Sequence, residues 1–207
     1  MNATRTNNLI SKVALVLLLA LFVSACSGVK VSRVDADQEV ALTDRWNDKD
    51  SSLVADEMID DMMSFPWLTR FEKAHPGKHP TITIQRVQNK SHEHIAVDTF
   101  VNDLKRATIR SGVADFIVSG AERSRLREEL KQQDVYSSEE SRMEMGEEQG
   151  ANFALSGTIN SMVDRLDGTR VTFYQVDLKL INLQTTREVW NGQKKIKKVQ
   201  ERSKFGF

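Results

Sequence analysis

The chain has 207 residues, with 29 basic and 29 acidic side chains, 40% hydrophobic residues and 28% charged ones. A formal charge of zero and the absence of any basic-aromatic signature exclude a broad electrostatic grip on nucleic acid. One cysteine excludes an intramolecular disulfide, and the length fits one globular domain with an anchoring segment.

In chain order, Arg5 and Lys12 precede an unbroken apolar run, Val13 to Val23. As a helix this run would span ~16 Å, too short for the ~30 Å hydrocarbon core of a bilayer. It has the form of an export signal, residues 1–25. It ends in Val23-Ser24-Ala25-Cys26, which resembles the lipobox of bacterial lipoproteins. That resemblance implies cleavage before Cys26, S-diacylglycerol on its thiol and an N-palmitoyl group on its new amino terminus. Ser27, where aspartate would favour inner-membrane retention, points to an outer-membrane anchor facing the periplasm. Residues 26–50 read as the lipidated cysteine and a polar tether. Fully extended, residues 27–50 reach at most ~80–85 Å.

A helix is expected from Ser51, where Val54, Met58 and Met62 recur at four, with Asp50 or Ser51 as its cap. Pro66 ends or restarts it, and Trp67, Leu68 and Phe71 form a second apolar patch. Lys73 to Pro80 is a loop, and Thr81 to Val87 alternates as a strand. Residues 94–111 form a strongly amphipathic helix on Val97, Val101, Leu104 and Thr108, with Phe100 and Ile109 alongside and Gly112 as its stop. Val113 to Ser119 reads as a short buried strand. Residues 122–133 and 138–149 read as charged helices. The last third changes period to three strands, 152–166, 169–183 and 188–198, with Asp167-Gly168 as the first hairpin turn. This order defines an α/β fold: a small mixed sheet that ends in a C-terminal antiparallel meander and is flanked by helices. The globular domain is expected over residues 51–200, with a tail at 201–207.

Several segments together carry a family resemblance. They are Ile84 to Ile95, Asp103 to Gly112, Glu128 to Gln133, Gly146 to Gly157, and Val176 to Leu183 followed by Trp190. Over roughly residues 45–198 the chain resembles the LpoB-type activators of penicillin-binding proteins. The resemblance implies a fold similar to the N-terminal domain of TolB. It also implies a non-catalytic outer-membrane lipoprotein that binds a class A penicillin-binding protein and stimulates peptidoglycan synthesis. The chain departs from the family's long proline-rich tether, since no proline precedes Pro66. That departure leaves open a second reading, an envelope scaffold lipoprotein with another partner.

Few residues suggest chemistry. His92-Glu93-His94 could place two imidazoles together, but no third ligand is suitably spaced, and a polar loop is expected there. Asn47, Asp48 and Asp50 lack the glycine and terminal glutamate of a calcium loop. No nucleophile elbow or phosphate loop is present. The reading is therefore not an enzyme, with no cofactor and no metal. The mixed-charge helix bearing Arg123, Arg127, Glu128 and Lys131 is the candidate docking face for an acidic partner, against the plainer reading of a solvated helix. Lys194, Lys195, Lys197 and Lys198 give the last strand a basic end suited to an exposed sheet edge. The absence of heptads gives no reason to expect a multimer.

Overall fold

The computed structural model describes residues 32, 33, 35, 43–136 and 148–201. The signal segment, Cys26, most of the tether, the expected helix at 138–149 except its last residues, and residues 202–207 lie outside the described residues. No helix among the described residues is long and apolar enough to cross a membrane.

The folded unit takes in residues assigned above to the tether. Helix α1 spans Asp48–Ser64 and begins with a capping box. The Asn47 side chain accepts from the Asp50 amide at 2.9 Å, and the Asp50 carboxylate accepts from the Asn47 amide at 2.9 Å. These bonds satisfy two amides that the helix start would otherwise leave unpaired. Upstream, Asp44 is buried, and the Trp46 ring meets Phe100 and Tyr174 edge-on at 6.1 and 5.5 Å. The folded domain therefore extends upstream of the boundary expected at 51 and takes in Asp44 and Trp46. The physical reason is that a short strap of polar and aromatic residues, with no periodicity of its own, seals one end of the core.

Phe65 takes an extended conformation, and Pro66 restarts the chain as α2, Pro66–Ala74. Trp67 fixes the angle between the two helices: its indole nitrogen donates to the Met62 carbonyl at 2.7 Å. Its ring packs against Phe153 at 4.8 Å. Met58 and Met62 are core residues.

The remaining elements are β1 Thr81–Lys90, α3 Val97–Ser111, β2 Asp115–Phe116, α4 Gly120–Tyr136, β3 Phe153–Leu166, β4 Thr169–Asn182 and β5 Glu188–Glu201. They form one five-stranded sheet in the order β2-β1-β3-β4-β5. Strand β1 runs parallel to β2 and β3, while β3, β4 and β5 are antiparallel. This is the mixed sheet with a terminal meander that the pattern predicts. The β3–β4 turn uses positive φ at Asp167 (48°) and Gly168 (85°), the pair a two-residue hairpin needs.

Two further expectations change here. The apolar run at 113–119 pairs only over Asp115–Phe116, because the chain then leaves the sheet to start α4. Ile109, placed beside the α3 stripe, is 60% exposed. The stripe that is buried is Phe100, Leu104 and Thr108.

Helices α1 and α3 pack on each other and cover one sheet face. On β4, Thr172, Tyr174, Val176, Leu178 and Leu180 are buried, while Val171, Phe173 and Gln175 on the other face are half-buried. On β3, Leu155 and Ile159 face Leu180 and Val176 across the ladder and join the same core. Gly157 lies opposite Leu178, and a Cβ there would collide with the Asp177 carbonyl and the Leu178 side chain. Only glycine lets β3 and β4 approach this closely.

Candidate functional site

The residues singled out for docking lie on α4. Arg123, Arg127 and Lys131 recur at four, so they share one side of the helix, with Glu128 beside them. No described side chain of α4 is buried. Three contacts tie its start to the domain. Arg123 donates through Nε to the Val118 carbonyl at 2.8 Å. Glu122 pairs with Lys105 of α3 at 3.6 Å. Ser119, just before the helix, donates to the Ile84 carbonyl at 3.2 Å.

Arg127 is committed within the chain. Its guanidinium grips Glu148 in a fork, Nε to Oε1 at 2.6 Å and Nη2 to Oε2 at 2.7 Å. These bonds lower the Glu148 carboxyl from its usual range, because Arg127 stabilises its charged form, and raise Arg127 for the same reason. Both side chains are solvent-exposed, so the pair orients the two segments more than it stabilises them. Beneath it lies a shallow cavity of 190 Å³ lined by Ile117, Val118, Leu126 and Leu130, with Arg123 and Glu148 on the rim. Leu126 is 51% exposed. Of the four singled-out residues, the structure thus places Arg123 and Arg127 on a small apolar groove, and leaves Glu128 and Lys131 in solvent.

The lysines of β5 divide by strand alternation. Lys194 and Lys198 face α1 and pair with Glu57 and Asp50, and Lys198 also donates to the Arg45 carbonyl at 2.8 Å. Lys195 and Lys197 lie on the opposite face, where Lys197 is in register with Phe173 and, one strand further, Met162. β5 is an edge strand, as its lysines suggest.

The His92-Glu93-His94 segment does not gather a metal-like set, and among the described residues no group of three or more such side chains is found. Glu93 instead turns inward. It accepts from the Trp46 amide at 3.0 Å and from the Tyr174 hydroxyl, whose oxygen also lies 3.1 Å from the Asp44 carbonyl. Burial raises Tyr174 well above the ordinary phenol range, and the Glu93 carboxylate adds to that shift. Asp44 accepts from the Thr172 hydroxyl and pairs with Arg170 Nε at 2.9 Å. Sequence reasoning missed this polar centre, which joins residues more than 120 positions apart. The one readable trace was the Asn47-x-x-Asp50 capping pattern beside it.

Among the described residues, this α/β domain presents shallow grooves with charged rims. The model of the peptidoglycan-synthase activator LpoB family matches residues 50–196, from α1 into β5, and the chain belongs to that family. The family is named for activating a synthase rather than for catalysis, and its match favours the activator reading over the scaffold reading. Solved structures resemble the chain at low identity. The LpoB C-terminal domain from Escherichia coli is 14% identical, with 71% of this chain and 98% of that one covered and a TM-score of 0.43. The lipoprotein GNA1162 from Neisseria meningitidis is 16% identical, with 60% and 86% covered and a TM-score of 0.36. PelC from Paraburkholderia phytofirmans, solved as a dodecamer, is 15% identical, with 58% and 73% covered and a TM-score of 0.33. No curated protein matches the chain. None of these findings bears on the expected likeness to the N-terminal domain of TolB.

Proposed function

We propose that this chain is a lipid-anchored regulator of cell-wall synthesis. Acylated at Cys26 and held in the outer membrane facing the periplasm, it acts as a monomer on a class A penicillin-binding protein. It needs no cofactor or metal for this. It binds the active state of the synthase more tightly and so shifts its population toward that state. The observation that carries this reading is the family match, which spans the domain from α1 into β5. The side of α4 with Arg123, Arg127, Glu128 and Lys131 is the proposed docking face. In support, it carries an apolar groove with a charged rim.

The test is reconstitution. Purified chain is added to a purified class A synthase in detergent, and glycan polymerisation is followed with a fluorescent lipid-linked substrate. A rise in rate, together with co-purification of the two proteins, is the expected result. A chain that neither binds the synthase nor alters its rate refutes the proposal. Arg123→Glu combined with Lys131→Glu should weaken binding by about tenfold or more, as reversed charges at a docking rim do. An unchanged affinity would move the interface away from α4.

A further inference from the structure

The turn end of the β3–β4 hairpin holds two arginines in an arrangement that isolated strands avoid. Arg165 and Arg170 are direct cross-strand partners, so both guanidinium groups leave the same face of the sheet. Like charges placed so are mutually destabilising unless opposite charge joins them, as Asp44 does for Arg170. Two cavities open here and share Arg165. One, of 410 Å³, lies between Arg165, Arg170 and Gln200, with Asp167 at the turn. The other, of 440 Å³, is lined by Arg165, Val163, Ser161 and His92.

Arg170 is held in place before any ligand arrives. Its Nε lies 2.9 Å from the buried Asp44 carboxylate, an ion pair without a directed hydrogen bond, and its side chain is only 23% exposed. Arg170 lines the first cavity, and its Nη2 stands 3.5 Å from Nε2 of His92. The other ring nitrogen of His92 contacts the Ser161 hydroxyl. Two guanidinium forks, an imidazole and a hydroxyl thus converge at one end of the sheet.

We infer that this cluster is an oxyanion-binding site, which takes a phosphate or carboxylate group between Arg165 and Arg170 with His92 at its side. A planar guanidinium donates two parallel bonds to either group. Asp44 fixes one fork in advance, so less freedom is lost on binding. Arg165 is exposed and supplies the second fork from the opposite strand. The inference does not depend on the synthase reading, because its ligand and its assay are separate.

The test uses the full chain in detergent micelles, titrated with inorganic phosphate at constant ionic strength. The arginine Nε–H signals of Arg165 and Arg170 are followed by NMR. Saturable shifts of both signals are expected, with binding weakened about tenfold or more in Arg165→Gln, the loss of one charge-assisted pair. Because Arg165 is exposed, its variant should unfold at the wild-type denaturant midpoint. A parallel titration with acetate shows whether a planar carboxylate is preferred to a tetrahedral phosphate, and saturation by either supports the site. Shifts that never saturate with either anion, or equal affinity in Arg165→Gln, overturn the inference and leave an adventitious ion only.

Discussion

Replacing Asp44 by alanine tests whether the strap belongs to the fold. Asp44 is 4% exposed, accepts from Thr172, and pairs with Arg170 at 2.9 Å. Alanine would leave a guanidinium and a hydroxyl facing an apolar gap. Removing one partner of a buried pair costs ~3–5 kcal/mol. The Arg170 side chain is 23% exposed and can recover some solvent, so the expected loss is about 2–4 kcal/mol. Asp44→Asn keeps the shape and an acceptor for Thr172, and should lose roughly half as much. Urea unfolding of the mature chain, read by tryptophan fluorescence, gives both values. Trp46 reports the strap directly, since it packs on Tyr174. A parallel truncation series sharpens the result: a chain that starts at Thr43 should unfold like the mature protein, and one that starts at Ser51 should be less stable than either. If Asp44→Ala stays within about 0.5 kcal/mol of the wild type, the strap contributes nothing and the domain does begin near 51.

Gly157→Ala should destabilise by about 1–3 kcal/mol or more, because the added methyl meets the backbone of β4; an unchanged urea midpoint would contradict the close strand approach. Trp190→Phe keeps the buried ring but removes the indole donor that reaches Asp61 at 2.8 Å, so a loss of about 1–2 kcal/mol is expected. Tyr174 sits well above its unfolded pKa of about 10, so the neutral hydroxyl is the form the fold favours. Its contribution is complete below pH 10 and fades as pH climbs above it. The fall in urea midpoint above pH 10 should therefore be shallower in Tyr174→Phe, and equal slopes would count against the assignment. Cys26→Ala should abolish palmitate labelling and release the chain from membranes while the domain stays folded; continued membrane attachment would remove the lipid anchor from the proposal.

The meander was legible because its signals are local. Alternation marks β4, and Asp167-Gly168 is a turn pair that few other contexts use. The amphipathic stripe of α3 was legible for the same reason. Its start slipped from 94 to 97 because His94 and Ile95 belong to the loop that carries Glu93 inward. The strap was not legible. Asp44, Arg45 and Trp46 look like any polar tether, and their meaning comes from Thr172, Tyr174 and Glu93, far off in the chain. Likewise nothing in the sequence paired Arg165 with Arg170 until the hairpin register was known. The charge of α4 was readable, but not that Arg127 would be occupied by Glu148.

The strap also changes the geometry of encounter. If Cys26 is fixed in a lipid leaflet and the fold starts near residue 43, residues 27–42 can extend no further than ~55 Å, against ~80–85 Å for the longer tether. A half-sphere of that smaller radius holds one domain at a concentration on the order of millimolar, about threefold above the value for the longer leash. A partner whose binding site lies inside that shell can be engaged with only weak intrinsic affinity, and one outside it cannot be engaged at all. In a chain anchored at Cys26, a fold that begins upstream of residue 51 would exchange height above the membrane for local concentration.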